Sequence, residues 1–127
     1  MYSDLIALRD ALADIPEVCT CKIGIEANLS TASFPMIRVV PSRAIPGRPY
    51  NNRTVELTIY FGYDITESAG LEKVYEKLLE MEGEIIVTLQ AQGLRYLDTI
   101  ADEDRGATSG YKWMAIRAEM SSERPDQ

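Results

Sequence analysis

The run Arg53-Thr54-Val55-Glu56-Leu57-Thr58-Ile59-Tyr60-Phe61-Gly62-Tyr63 alternates apolar and polar residues along its length. Side chains on a strand point to alternate faces, so Val55, Leu57, Ile59, Phe61 and Tyr63 line one face; Glu56, Thr58, Tyr60 and Gly62 line the other. The first set packs on a core. The second is mixed, so that face is either solvated or covered by another subunit. Such a strand needs partners on its edges and an apolar layer against it, and the flanking sequence supplies both.

Upstream, Pro41 to Asn52 contains Pro41, Pro46, Gly47 and Pro49 ahead of Asn51-Asn52. These residues fix φ, remove donors or favour turns, which predicts an irregular loop of about twelve residues, a length that usually marks function or disorder. Before it, Phe34 to Val40 reads as a strand, with Pro35 near its start where a missing N–H is tolerated. Asn28 to Ser33 is a polar turn. From Cys19 to Ala27, Cys21, Ile23 and Ile25 alternate with Lys22, Gly24 and Glu26, a strand with one buried face. The chain opens on a helix over Asp4 to Asp14. Ser3 caps it, Asp4 suits the positive end of its dipole, and Leu5, Leu8, Leu12 and Ile15 recur at helical spacing until Pro16 ends the pattern.

Downstream, Asp64 to Gly70 is a connection. Leu71, Val74, Tyr75, Leu78, Leu79 and Met81 follow at 3.6-residue spacing with Glu72, Lys73, Glu76 and Lys77 outward, an amphipathic helix. Gly83 interrupts it at about 1 kcal/mol relative to Ala. Ile85, Ile86, Leu89 and Gln90 continue the pattern to Gly93, a natural C-cap, so one kinked helix or two short ones would fit. Leu94 to Ile100 and Tyr111 to Met120 are a last pair of strands around an acidic, glycine-containing turn, Ala101 to Gly110. Apolar groups on both faces of Tyr111 to Met120 mark a central or doubly covered strand. The order is α-β-β-β-α-β-β, an α+β domain with a mostly antiparallel sheet packed against two helices. Residues 1–120 form that single domain, and 121–127 read as a flexible tail.

Composition narrows the function. A chain of 127 residues with 46% hydrophobic content suits one globular domain. No stretch approaches the roughly twenty apolar residues that span a bilayer, and the N-terminus lacks a signal-peptide pattern, which predicts assembly in the cytoplasm without a membrane partner. The net charge of −7 argues against specific nucleic-acid binding. The charge is uneven, however. Phe34 to Val55 contains Arg38, Arg43, Arg48 and Arg53 and no acid, whereas Glu67 to Glu84 and Asp98 to Asp104 are acidic. A basic segment on an acidic molecule can attract another copy or a charged neighbour, although a patchy solvated surface reads the same way.

Catalytic chemistry has little to work with. The chain has no histidine, which removes the commonest general base and metal ligand, so no Ser-His-Asp or Cys-His arrangement can form. Cys19 and Cys21 are too few for a zinc site, and a disulfide between them would be strained, leaving free, partly buried thiols. Asp98, Asp102, Glu103 and Asp104 could offer hard oxygen ligands to a divalent cation, but they lack the calcium-loop order and are read as a solvated acidic turn, with no metal site. Gly106 to Gly110 lacks the lysine and the strand-to-helix context of a phosphate loop. The expectation is a non-enzymatic protein with no cofactor. The loop bearing Arg43, Arg48 and Arg53 reads as a contact arm, its guanidinium forks suited to carboxylates on a neighbour with Tyr50 as a rigid anchor, and equally as a floppy surface loop.

The opening helix, the strand trio with a long loop before its third member, the run Arg53 to Tyr63, the helix Gly70 to Met81, the Gly93-Leu94-Arg95 restart and the closing strand Tyr111 to Met120 together resemble the tail terminator and tail completion (head-tail joining) proteins of long-tailed bacteriophages. The resemblance covers most of the chain by pattern and includes no invariant motif. It implies a virion protein that forms a homo-oligomeric ring, commonly a hexamer, on the end of the tail tube. That ring stops tube growth and docks the head, with tube and neck or connector proteins as partners. A head-to-tail ring interface pairs two different surfaces, which suits one basic and one acidic patch per subunit. The competing expectations are a dimeric ligand-binding or regulatory domain of ferredoxin-like kind and an enzyme using carboxylates alone.

Overall fold

Burial alternates from Thr54 to Phe61 as the sequence requires, and Val55, Leu57, Ile59, Phe61 and Tyr63 are all buried. The computed structural model describes residues 2–24, 35–46, 52–64, 70–100 and 111–123. Its elements are α1 (Tyr2–Ala13), β1 (Thr20–Ile23), β2 (Met36–Pro46), β3 (Asn52–Asp64), α2 (Gly70–Ala91), β4 (Arg95–Ile100) and β5 (Tyr111–Glu123). They form a five-stranded sheet in the order β1-β2-β3-β5-β4 with two helices, the expected α+β architecture. Three of the four strand pairs are antiparallel; β1 lies parallel to β2.

The register sorts the sheet residues into two faces. Cys21, Ile37, Phe61 and Met114 share one face with Ile23, Val39, Ile59 and Ile116. Both helices pack on this face. Leu5, Leu8, Leu12 and Ile15 from the α1 region and Val74, Leu78, Met81, Ile85 and Leu89 from α2 join the strands in one core. This burial, at roughly 25 cal/mol per Å² of apolar surface, is what holds the layers together. The other face has no helix on it among the described residues.

Several boundaries differ from the sequence reading, each for a local reason. Helix α1 begins at Tyr2, which puts Ser3 inside the first turn. Of the expected strand Cys19 to Ala27, β1 takes Thr20 to Ile23 and Gly24 follows with a φ of 87°, while 25–27 lie outside the described residues. Helix α2 is a single helix of 22 residues that carries Gly83 within it; the packing of both halves of the helix on one core outweighs one poor helix former. Its end is as expected. Gly93 has φ of 80°, the Gly93 N–H donates to Gln90 O (3.0 Å) and the Leu94 N–H to Leu89 O (2.9 Å), a Schellman closure with Leu89 and Leu94 both buried.

The largest correction concerns Pro41 to Asn52. Pro41 to Pro46 are strand, the second half of β2, and Asn52 opens β3; only 47–51 lie outside the described residues. Prolines fit here because β1 ends opposite Val39, so among the described residues β2 beyond that point is an edge strand where a missing donor is tolerated. Likewise, Ser121 to Glu123 are not tail. They extend β5 opposite Asn52 to Thr54, since β3 offers them a ladder of backbone hydrogen bonds. Residues 124–127 lie outside the described residues.

Candidate functional site

The arginine-bearing segment is built on the β2–β3 hairpin. Past Val39, β2 pairs with β3 alone among the described residues, and its register slips between Pro41 and Arg43. Ser42 sits in that irregularity, and its Oγ donates to Glu56 O at 2.9 Å. Prolines, a bulge and an exposed cation are the usual means by which a free sheet edge avoids pairing with other chains. The prolines read from the sequence as loop formers therefore protect an edge.

Arg43 is exposed and lies opposite Glu56; Arg53 lies in β3 opposite Pro46 and Ser122. Both belong to the end of the hairpin away from β1. Arg48 and Tyr50 fall outside the described residues. Arg38 is not part of this surface. It is fully buried, and its Nη1 donates to Thr20 O (3.1 Å) and Ile37 O (2.9 Å), tying β1 to β2. Burying a guanidinium without such acceptors would cost several kcal/mol.

The helix-free face continues from Arg43 as a band of charge. Arg117 on β5 grips Asp98 on β4 with two bonds, Nε to Oδ1 at 2.8 Å and Nη2 to Oδ2 at 2.6 Å, and its Nη1 lies 3.6 Å from Glu56 Oε1. Arg95 reaches Glu119 at 3.5 Å. The fork from Arg117 holds the Asp98 carboxyl below its usual range. An acid kept ionised in this way cannot serve as a proton donor at neutral pH. At the other end of the face the character changes. Tyr60 and Trp113 meet edge to face, 6.2 Å between centroids and 89° between planes, beside buried Met36 and Ala115. The face is thus charged at one end and aromatic at the other.

Of the acidic group read as a solvated turn, only Asp98 is described, and it faces Arg117; Asp102, Glu103 and Asp104 lie outside the described residues. Among the described residues no group of three acids or cysteines could hold a metal ion. Neither Cys19 nor Cys21 is in a disulfide; Cys19, just before β1, is exposed rather than partly buried, and Cys21 packs against the core. Burial pushes the Cys21 thiol up to about 11, against the opposing pull of Arg38 and Arg9. A thiol so held is protonated at neutral pH and a poor nucleophile. No helix among the described residues is long and apolar enough to cross a membrane.

One surface was missed in the sequence. Leu79, read as a core residue, is 56% exposed, and Val87 is 66% exposed. With Gly83 they form a row at spacing four along α2. The spacing was available to be read, but a second apolar row cannot be told from the edge of the first without knowing how far the sheet reaches around the helix. No protein-family model matches this chain, and no curated protein matches it either.

Proposed function

We propose that this protein is a non-enzymatic assembly subunit of the phage tail terminator kind. Copies close into a ring, commonly of six, on the end of a tail tube; the ring ends tube growth and receives the head through neck or connector proteins in the virion. The observation that carries this reading is the β2–β3 hairpin. Its outer half leaves β1 behind, is protected against promiscuous edge pairing by Pro41, Pro46 and the irregularity at Ser42, and presents Arg43 from an acid-free segment on an otherwise acidic chain. Arg43, Arg48, Tyr50 and Arg53 supply its contacts.

The paired carboxylates on the helix-free face and the protonated Cys21 favour a binding role over catalysis. The element order α-β-β-β-α-β-β differs from the β-α-β-β-α-β of a ferredoxin-like unit, which counts against the ligand-binding dimer. Light scattering behind a sizing column tests the proposal. A closed oligomer, formed alone or on addition of tail tube, is expected; a dimer at every concentration, tube present or not, would overturn it. Replacing Arg43, Arg48 and Arg53 together by Ala is expected to abolish ring formation and tube binding, and unchanged assembly would remove the hairpin from the interface.

A further inference from the structure

At the end of β3 away from the hairpin, the α1–β1 turn and α2 enclose a groove of about 530 Å³. Its floor is apolar, made by Ile15 and Tyr63, and Leu79 and Val87 stand exposed on its α2 wall. From Leu79 to Val87 the wall runs about 12 Å, at a rise of about 1.5 Å per residue. Between them Gly83 leaves a dent: a Cβ placed there would meet nothing within 4 Å. One exposed leucine is ordinary on a protein surface. Two apolar side chains flanking a glycine, beside an apolar floor, make a patch that a partner can cover.

The rim is acidic, with Glu17, Glu80 and Glu84 all exposed. Lys77 answers one of them: its Nζ lies 3.4 Å from Glu17 Oε1 and 6.0 Å from the centre of the Tyr63 ring. No described cation forms an ion pair with Glu80 or Glu84. The excess of negative charge is felt at the floor, where the Tyr63 hydroxyl is pushed up to about 12, first by burial and then by Glu17 and Glu80.

That charge selects among occupants. Nucleic acid and anionic lipid carry the sign of the rim and are repelled by it. A second copy docked through the same groove would set glutamates against glutamates. Elsewhere on the described surface, Arg9, Lys73, Arg95 and Arg117 stand against Asp10, Glu76, Glu119 and Asp98, so their charge is already answered within the subunit. The complement is a guest with apolar side chains for the patch and lysine or arginine for Glu80 and Glu84. An amphipathic helix with a basic flank holds both at fixed spacing, and the dent at Gly83 lets it approach the α2 wall closely.

We infer that the groove between the α1–β1 turn and α2 docks a basic amphipathic helix of a different protein. This goes beyond the ring reading and stands whether or not the subunits close. The test titrates the protein into a fluorescein-labelled helical peptide of leucine and lysine, about five turns long, with leucine on one face. Fluorescence anisotropy should show saturable binding. Leu79→Ser with Val87→Ser should weaken it at least about tenfold, and so should Glu80→Gln with Glu84→Gln. Asp10→Asn with Glu72→Gln removes the same charge from residues that do not line the groove and should leave affinity within about twofold. A peptide with glutamate in place of lysine should not bind. Absence of binding to the wild type, unchanged affinity in both groove variants, or an equal loss in the Asp10→Asn, Glu72→Gln variant would overturn the inference. So would a wild-type oligomer that Leu79→Ser with Val87→Ser dissociates, which would give the groove to a second copy.

Discussion

The two faces of β3 are held by different forces although they share one backbone. On the helix-covered face, Val55, Leu57, Ile59, Phe61 and Tyr63 are buried under α1 and α2, and the stabilising quantity is apolar area removed from water. On the helix-free face, Glu56 joins the Arg117–Asp98 pair and Tyr60 leans on Trp113. Exposed ion pairs contribute little to stability, typically about 0–1 kcal/mol. The first face makes the protein fold. On the second, Met36, Arg38 and Ala115 are buried at one end, Arg38 as a cation that secures β1 to the sheet, and exposed ion pairs fill the other.

Three measurements can break or sharpen that contrast. Phe61→Ala, on the covered face, should lower unfolding free energy by about 3–5 kcal/mol. Tyr60→Ala, its neighbour on the opposite face, should cost about 1 kcal/mol, mainly its edge contact with Trp113. Equal losses in urea unfolding would show that both faces carry a core. Arg38→Ala comes next, at about 2–3 kcal/mol, since two backbone carbonyls lose a charged donor; a value near zero would remove its role as the tie between β1 and β2.

The smallest effects appear in the dependence of stability on pH, and the two faces contribute opposite limbs. Cys21 and Tyr63 on the covered side have raised values, from 9.0 to about 11 and from 10.0 to about 12. Their contribution is complete below the unfolded values and is lost as pH rises through about 9 to 12, because the unfolded chain releases those protons first. Cys21→Ala with Tyr63→Phe should flatten this alkaline limb. Asp98 on the helix-free side has a lowered value, caused chiefly by its hydrogen bonds from Arg117. Its contribution is present above the ordinary aspartate range and fades as pH falls through it, so Asp98→Asn should flatten the acid limb and leave the alkaline one unchanged. Urea midpoints measured across pH would show both.

Much of the fold was legible because period and burial agree. The alternation of residues 53–63 and the helical spacing of Leu5, Leu8 and Leu12 each fix a face from local geometry alone. Pro41 and Pro46 misled because proline forbids the interior of a sheet and permits its edge, and which strand lies at the edge depends on β1, twenty residues away in sequence. Ser121 to Glu123 misled for a related reason: a polar segment becomes strand when a neighbour offers it unpaired backbone. Of the contact arm, its charge and its freedom from acids were readable, whereas the burial of Arg38 and the exposure of Arg43 were not. Both are arginines in one acid-free run, and only the register separates them.

The sequence by itself determined the order of the elements, the apolar face of β3 and the absence of histidine, since these follow from residue type and spacing along the backbone. Tertiary structure alone decided that the prolines guard an edge, that Arg117 locks Asp98, and that Leu79, Val87 and three glutamates frame a groove at the opposite end of β3 from the arginines. Those relations join residues distant in sequence, and packing rather than local preference brings them into contact.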